Sequence, residues 1–136
     1  MPLKASQLKV GDSHEQKLVE DLRRTQIVQY AGASGDYNPL HTDEPFATQA
    51  AGFPSVFAHG MLTMGMTGRA LTDYVGDGRL TKYGVRFMAQ VFPGDDLTAT
   101  LTVTDVRNDE VDLEVVTRNG EGVEVLRGSA SARIDS

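Results

Sequence analysis

From about residue 81 to the end of the chain, apolar and polar side chains alternate with a period of two. Leu97, Ala99, Leu101 and Val103 interleave with Thr98, Thr100, Thr102 and Thr104, and Val111, Leu113 and Val115 interleave with Asp112 and Glu114. Such alternation predicts strands with one face turned to a core. Val123 and Val125 share one parity, whereas Leu126, Gly128, Ala130, Ala132 and Ile134 take the other, which predicts a β-bulge near Val125-Leu126. Pro93-Gly94-Asp95, Asn108-Asp109 and Asn119-Gly120 are turn signals. The second half therefore reads as four successive strands. Its acidic residues fall mostly at outward parity and are expected to form a solvated face.

The first half follows other patterns. Residues 1–24 are polar and irregular, with a turn expected at Val10-Gly11-Asp12. Thr25 is the expected N-cap of a short helix in which Ile27, Val28 and Ala31 recur at helical spacing up to about Gly32. Gly32, Gly35 and Pro39 interrupt regular structure, so Ser34 to Asp43 reads as a loop, followed by one helical turn over Ala47 to Ala51. Residues 60–75, GMLTMGMTGRALTDYV, are apolar or small on nearly every side, with Arg69 and Asp73 as the charges. This predicts a helix roughly 24 Å long, buried on all sides. Gly65 and Gly68 each cost about 1 kcal/mol of helix propensity relative to Ala, which predicts close approach of another backbone there. A lone buried helix followed by a meander implies an α+β domain in which an antiparallel sheet wraps the helix. Its open sheet edges favour pairing with a second subunit.

The chain of 136 residues carries 40% hydrophobic and 24% charged residues, which fits one folded domain over residues 1–136. A net charge of −6 argues against nucleic-acid and anionic-membrane partners. The absence of Cys removes disulfides and thiolate chemistry. With no signal-peptide core and no apolar run of membrane-spanning length, the expectation is a cytoplasmic protein.

Two segments carry candidate chemistry. In Ser34-Gly35-Asp36-Tyr37-Asn38-Pro39-Leu40-His41, a carboxylate and an imidazole stand five residues apart across a Pro-stiffened turn. If the loop folds back, Asp36 and His41 can hold one water or move protons at neighbouring carbons, with Asn38 orienting either. The same string also reads as Asx turns with His41 capping a helix. Ala58-His59-Gly60-Met61 immediately precedes the long helix. A helix N-terminus offers unpaired N–H groups and a positive dipole end, and Gly60 lets a carbonyl approach them closely. Those are the parts of an oxyanion site. His59 reads equally as a satisfied buried polar residue.

Together, Tyr30-Ala31-Gly32-x-Ser34-Gly35-Asp36-x-Asn38-Pro39-Leu40-His41, Ala58-His59-Gly60-Met61, Tyr83-Gly84-Val85-Arg86-Phe87 and Pro93-Gly94-Asp95 resemble the MaoC-like, R-specific enoyl-thioester hydratases of the hot-dog fold. The likeness runs over essentially the whole chain and extends to the catalytic B-type subunits of mycobacterial (3R)-hydroxyacyl carrier-protein dehydratases. It implies a sheet wrapped round a central helix and a dimer with an acyl tunnel near the subunit interface. Asp36 and His41 match the family's catalytic pair, and Gly60 its oxyanion glycine. Asn38, His59, Met61 and Arg86 complete the candidate substrate-binding set, Arg86 as the first of several cations (with Lys82, Arg23 and Arg24) for the phosphates of coenzyme A or phosphopantetheine. The implied substrate is an acyl-CoA or an acyl carrier protein, whose thioester handle belongs to the substrate. No metal and no separate cofactor are implied. The implied assembly is a homodimer or larger oligomer, or a heterodimer with a stabilising hot-dog subunit. One position departs from the pattern: Gly68 stands where some relatives place a Ser that helps orient the loop.

Three other readings compete. A hot-dog thioesterase would use a carboxylate on or near the central helix, where this chain offers Asp73. A non-catalytic acyl-binding or stabilising subunit would have no need of both Asp36 and His41. Metal binding by Asp36, His41, Asp43 or His59 lacks a recognisable ligand spacing.

Overall fold

The computed structural model describes residues 3–135. Strand β1 (Ser13–Val19) comes first, then helix α1 (Arg24–Ser34), a single turn α2 (Pro39–Thr42), a π-helical turn over Phe46–Ala50 and the long helix α3 (Gly60–Val75). Strands β2 (Leu80–Phe87), β3 (Leu97–Arg107), β4 (Glu110–Asn119) and β5 (Glu124–Arg133) follow. The five strands form one antiparallel sheet in the order β1-β3-β4-β5-β2, which packs against α3. This is the hot-dog arrangement, with β1 and β2 as its edges.

The alternating positions of β3 and β4 do what their pattern requires. Leu97, Ala99, Leu101, Val103, Val111, Leu113 and Val115 are all buried in one cluster with Leu71 and Val75 of α3, apart from Ala99, which is buried beside them. Full burial of each Leu or Val side chain is worth about 1.5–3 kcal/mol. The parity slip is a true bulge. Thr117 pairs with Leu126 and Arg118 with Glu124, so Val125 has no partner and both Val125 and Leu126 turn inward. The turns also form as expected. At Pro93-Gly94-Asp95, Gly94 adopts φ +93° and Asp95 Oδ2 accepts the Phe92 N–H. At the β4–β5 turn, Asn119 Oδ1 accepts the N–H groups of Glu121 and Val123.

Four expectations need correction. Residues 13–19 are not irregular but form β1. Its inward positions are His14, Gln16 and Leu18, so most of the buried-side stripe is polar. His14 stacks on Tyr74 (centroids 4.8 Å apart) and Gln16 donates to Asp73 (2.9 Å), which lets polar residues line a half-covered face. The first helix is capped at Arg23 rather than Thr25, because Gln26 Oε1 takes the Arg23 N–H. It runs past Gly32 and stops at Gly35, whose φ of +76° ends the helical path. Within the loop expected over Ser34 to Asp43, Pro39 at a first helical position starts the turn α2.

The fourth correction concerns α3. Thr63, Thr67, Ala70, Leu71 and Val75 face the sheet, but Met61, Gly65, Arg69 and Asp73 form an exposed line on the opposite side of this single chain. Gly65 meets no neighbour. At Gly68 the close partner is a ring rather than a backbone: an added Cβ would lie 3.3 Å from Tyr83, whose hydroxyl donates to the Met64 carbonyl at 2.7 Å. Burial pushes the Tyr83 hydroxyl pKa well up, so it remains a donor.

The acidic outer face is laced with ion pairs, Arg107 joining Asp105, Glu110 and Asp112, and Arg127 joining Glu114 and Glu124. The Arg107 guanidinium, helped by the Ser131 hydroxyl, holds the Asp112 carboxyl at about 2 against an ordinary 3.8. A folded-state value below the unfolded one contributes stability above roughly pH 4, and that contribution is lost as pH falls towards 2. Asp112→Asn should therefore flatten the fall of stability between about pH 4 and 2 in an acid titration followed by circular dichroism, while changing stability at pH 7 by no more than about 1 kcal/mol. Among the described residues, no helix is long and apolar enough to cross a membrane.

Candidate active site

The loop after α1 is built from nested side-chain turns. Ser34 Oγ accepts the Asp36 N–H, Asp36 Oδ1 accepts the Asn38 N–H, and Asn38 Oδ1 accepts the Leu40 N–H (3.2, 3.2 and 3.0 Å). Asn38 is thereby the N-cap of α2, which carries His41. The expected Asx turns form, but His41 caps no helix among the described residues: it sits within α2, and its ring is turned to the Phe57 carbonyl. One oxygen of Asp36 and one ring nitrogen each of His41 and His59 lie within 4.8 Å of one another. Two hydrogen bonds from a single water span about 4.6 Å, so groups this close are within reach of one shared water.

Each imidazole is fixed by a backbone carbonyl. His41 Nδ1 donates to the Phe57 carbonyl at 2.6 Å, which leaves His41 Nε2 to accept or deliver a proton. His59 Nε2 donates to the Asp36 carbonyl at 2.9 Å. The His41 and His59 rings stack at 3.8 Å with planes 24° apart. Their in-plane lone pairs therefore run side by side instead of converging on a point, which is poor geometry for one ion bound by both rings. Asp43 stands outside this trio, its carboxylate accepting the Phe46 N–H.

His59 is the N-cap of α3. Gly60 and Met61 open the first turn, where backbone N–H groups lack helical acceptors. An added Cβ at Gly60 would sit 3.1 Å from the Phe87 ring, so the glycine admits that ring against the helix start. Beside it opens a cleft of about 250 Å³, walled by Phe57, Ala58, Gly60, Phe87, Met88 and Val91 among others. Phe57 thus both holds His41 through its carbonyl and borders the cleft.

Of the remaining candidates, Met61 is 55% exposed, while Met64 and Met66 pack on the core. Arg86 alternates with Phe87 and Val85 on β2, so its side chain leaves on the outer face, away from the cleft. Lys82 shares that parity. Arg24 is paired with Glu44, which also accepts the Val56 N–H and so ties α1 to the segment leading to His59. Asp73 lies 13 residues beyond Gly60, about 20 Å along the helix, and is engaged by Gln16 and Arg69. Sequence reasoning missed Phe57, and it quoted Tyr30 and Phe87 as motif positions without giving either a role in the site. Tyr30 packs on His59 at 4.8 Å. The aromatic content of 53–57 was a visible signal, but the Phe57 carbonyl that matters carries none.

Residues 5–125 match the family described as MaoC like domain. The 3-hydroxyacyl-thioester dehydratase Y of Mycobacterium tuberculosis is 47% identical over 75 residues, which is 53% of this chain and 26% of that protein. The chain thus spans about a quarter of that relative's length. The (R)-specific enoyl-CoA hydratase of Rhodospirillum rubrum is 35% identical over 97 residues, covering 70% of this chain and 67% of the relative. Among solved structures, R-hydratase PhaJ1 from Pseudomonas aeruginosa superposes with a TM-score of 0.87 at 27% identity, over 99% of this chain and 87% of that one.

Proposed function

Because the chain belongs to the MaoC-like domain family, we propose that it reversibly hydrates trans-2-enoyl thioesters and dehydrates (3R)-hydroxyacyl thioesters, with Asp36 and His41 as its acid–base pair. The observation that carries this reading is a carboxylate oxygen and an imidazole nitrogen brought within 4.8 Å of each other, next to a helix start that borders a cleft. In hydration, the pair holds a water whose oxygen bonds to C3 while one of its protons passes to the pair, and a proton is delivered to C2. Dehydration reverses these movements. The two groups act as a coupled unit, so the proton traffic belongs to both. The N–H groups at the start of α3 stabilise the enolate oxygen that develops on the thioester carbonyl. The thioester handle, coenzyme A or a phosphopantetheinyl carrier protein, is part of the substrate.

The position of Asp73 weighs against a thioesterase, since the helix carboxylate sits far from the cleft and in other bonds. One assay separates the two. Incubated with (3R)-hydroxybutyryl-CoA, the chain should generate enoyl-thioester absorbance and leave the (3S) isomer untouched, with no free thiol released. Thiol release without enoyl absorbance would replace the hydratase reading with the thioesterase one.

Gly60→Ala should push the Phe87 ring into the cleft and lower kcat/KM roughly 10-fold or more, measurable in the same assay with the folded fraction checked by circular dichroism. The working assembly is a dimer or larger. Supporting this are the open edges of β1 and β2 and the exposure of Phe87, Met88 and Met61 near the cleft. Sedimentation velocity at micromolar concentration should give at least twice the 14.7 kDa chain mass. A clean monomer that still turns over would remove the interface from the mechanism.

A further inference from the structure

We infer that His59 is a positioning residue for the Asp36–His41 pair, locking the Asp36 loop and the His41 ring to the start of α3. This rests on the hydratase reading of that pair. His59 is 2% exposed and occupies the N-cap of α3, yet its side chain makes no capping bond to its own helix. N-cap side chains ordinarily accept an N–H from the first turn. Here the imidazole is diverted 23 residues back, where Nε2 donates to the Asp36 carbonyl at 2.9 Å. A carbonyl can only accept, so the proton sits on Nε2.

The other nitrogen, Nδ1, is buried with no hydrogen-bond partner among the described residues. A histidine kept for packing alone would be better replaced by an apolar ring, because an unsatisfied buried polar atom is costly. What His59 supplies in return is a double constraint. Its bond fixes the backbone of Asp36. Its face covers His41 at 3.8 Å and 24°, while Tyr30 supports His59 at 4.8 Å and 59°. His41 is thereby held in plane by the Phe57 carbonyl and held against tilting by the stack. Both constraints point His41 Nε2 and the Asp36 carboxylate in fixed directions, and small misplacements of reacting groups cost large factors in rate. His59 itself need touch no substrate.

Two substitutions divide the roles. His59→Phe keeps a ring on His41 and loses the donor, and His59→Gln keeps a donor and loses the ring. With trans-2-enoyl-CoA as substrate, His59→Phe should lower kcat roughly 10- to 100-fold with KM within about twofold, and His59→Gln should recover part of that loss. Tyr30→Leu, which leaves His59 in place and removes its support, should lower kcat by a smaller factor in the same KM-independent way. The ring nitrogen resonances of His41 should shift in all three variants. A folded His59→Phe with kcat within twofold of wild type, or unshifted His41 resonances, would overturn the inference. Wild-type protein without hydration would count against the functional reading instead, and the His41 resonances would then still decide whether His59 positions that ring.

Discussion

Asp36→Asn lowers turnover by at least roughly 10²-fold, the usual scale for losing a general acid or base, while the protein stays folded. The structure explains why these effects separate. Asp36 is exposed, and the structural bond its side chain makes is the one in which Oδ1 accepts the Asn38 N–H at 3.2 Å. Asn retains that oxygen, so the nested turns that deliver His41 survive while the carboxylate's negative charge and basicity vanish. His41→Ala should cost turnover on the same scale but is a less clean variant. It orphans the Phe57 carbonyl and strips the face of His59, adding about 1–3 kcal/mol of destabilisation. Rates for that variant need to be expressed per folded molecule. Near-normal kcat in both variants, each folded, would remove Asp36 and His41 from the chemistry.

The largest effect on stability is expected at a residue far from the loop. Gly128 of β5 pairs with Val85 of β2, and a Cβ added there would lie 2.0 Å from the Gly84 carbonyl oxygen and 2.7 Å from the Val85 Cα. Those neighbours are backbone atoms and cannot rotate away, so the β2–β5 ladder must open. Gly128→Ala should destabilise the domain by at least about 3 kcal/mol, at the upper end of overpacking costs, and lower the thermal midpoint by roughly 10 °C. Gly84→Ala is the internal control, since nothing lies within 4 Å of a Cβ there and the facing strand of the same ladder is altered without the clash. Differential scanning calorimetry of both variants reads the contrast. Equal midpoints for the two would mean that the strands do not approach so closely. The effect reaches the site, because β2 carries Tyr83 against Gly68 and Phe87 against Gly60.

Much of this architecture was legible in the sequence because it is written in periodicity. The strands β2 to β5 announce themselves through apolar alternation, and the bulge at Val125 through a change of parity. Strand β1 was not legible because the residues facing the helix, His14 and Gln16, are polar and gain their partners, Tyr74 and Asp73, only from α3. The helix α3 looked buried on every side because glycines and methionines count as apolar in any pattern. Its exposed line of Met61, Gly65, Arg69 and Asp73 shows that composition alone does not reveal which side of a helix this single chain leaves uncovered. At the candidate site, Asp36, His41 and Gly60 were legible as residue types at telling spacings. The parts that fix their geometry were not, since the carbonyls of Phe57 and Asp36 are backbone groups with no signature in the sequence. The outward parity of Arg86 was readable from its alternation with Phe87, yet the motif match drew attention to it as a phosphate ligand.

The central claim is tested most directly by following the loss of enoyl-thioester absorbance when the purified chain alone meets short- and medium-chain trans-2-enoyl-CoA, with Asp36→Asn as its pair. The account predicts hydration by the wild-type chain and a loss of at least roughly 10²-fold in the variant. Equal rates for the two, with both proteins folded, would contradict it.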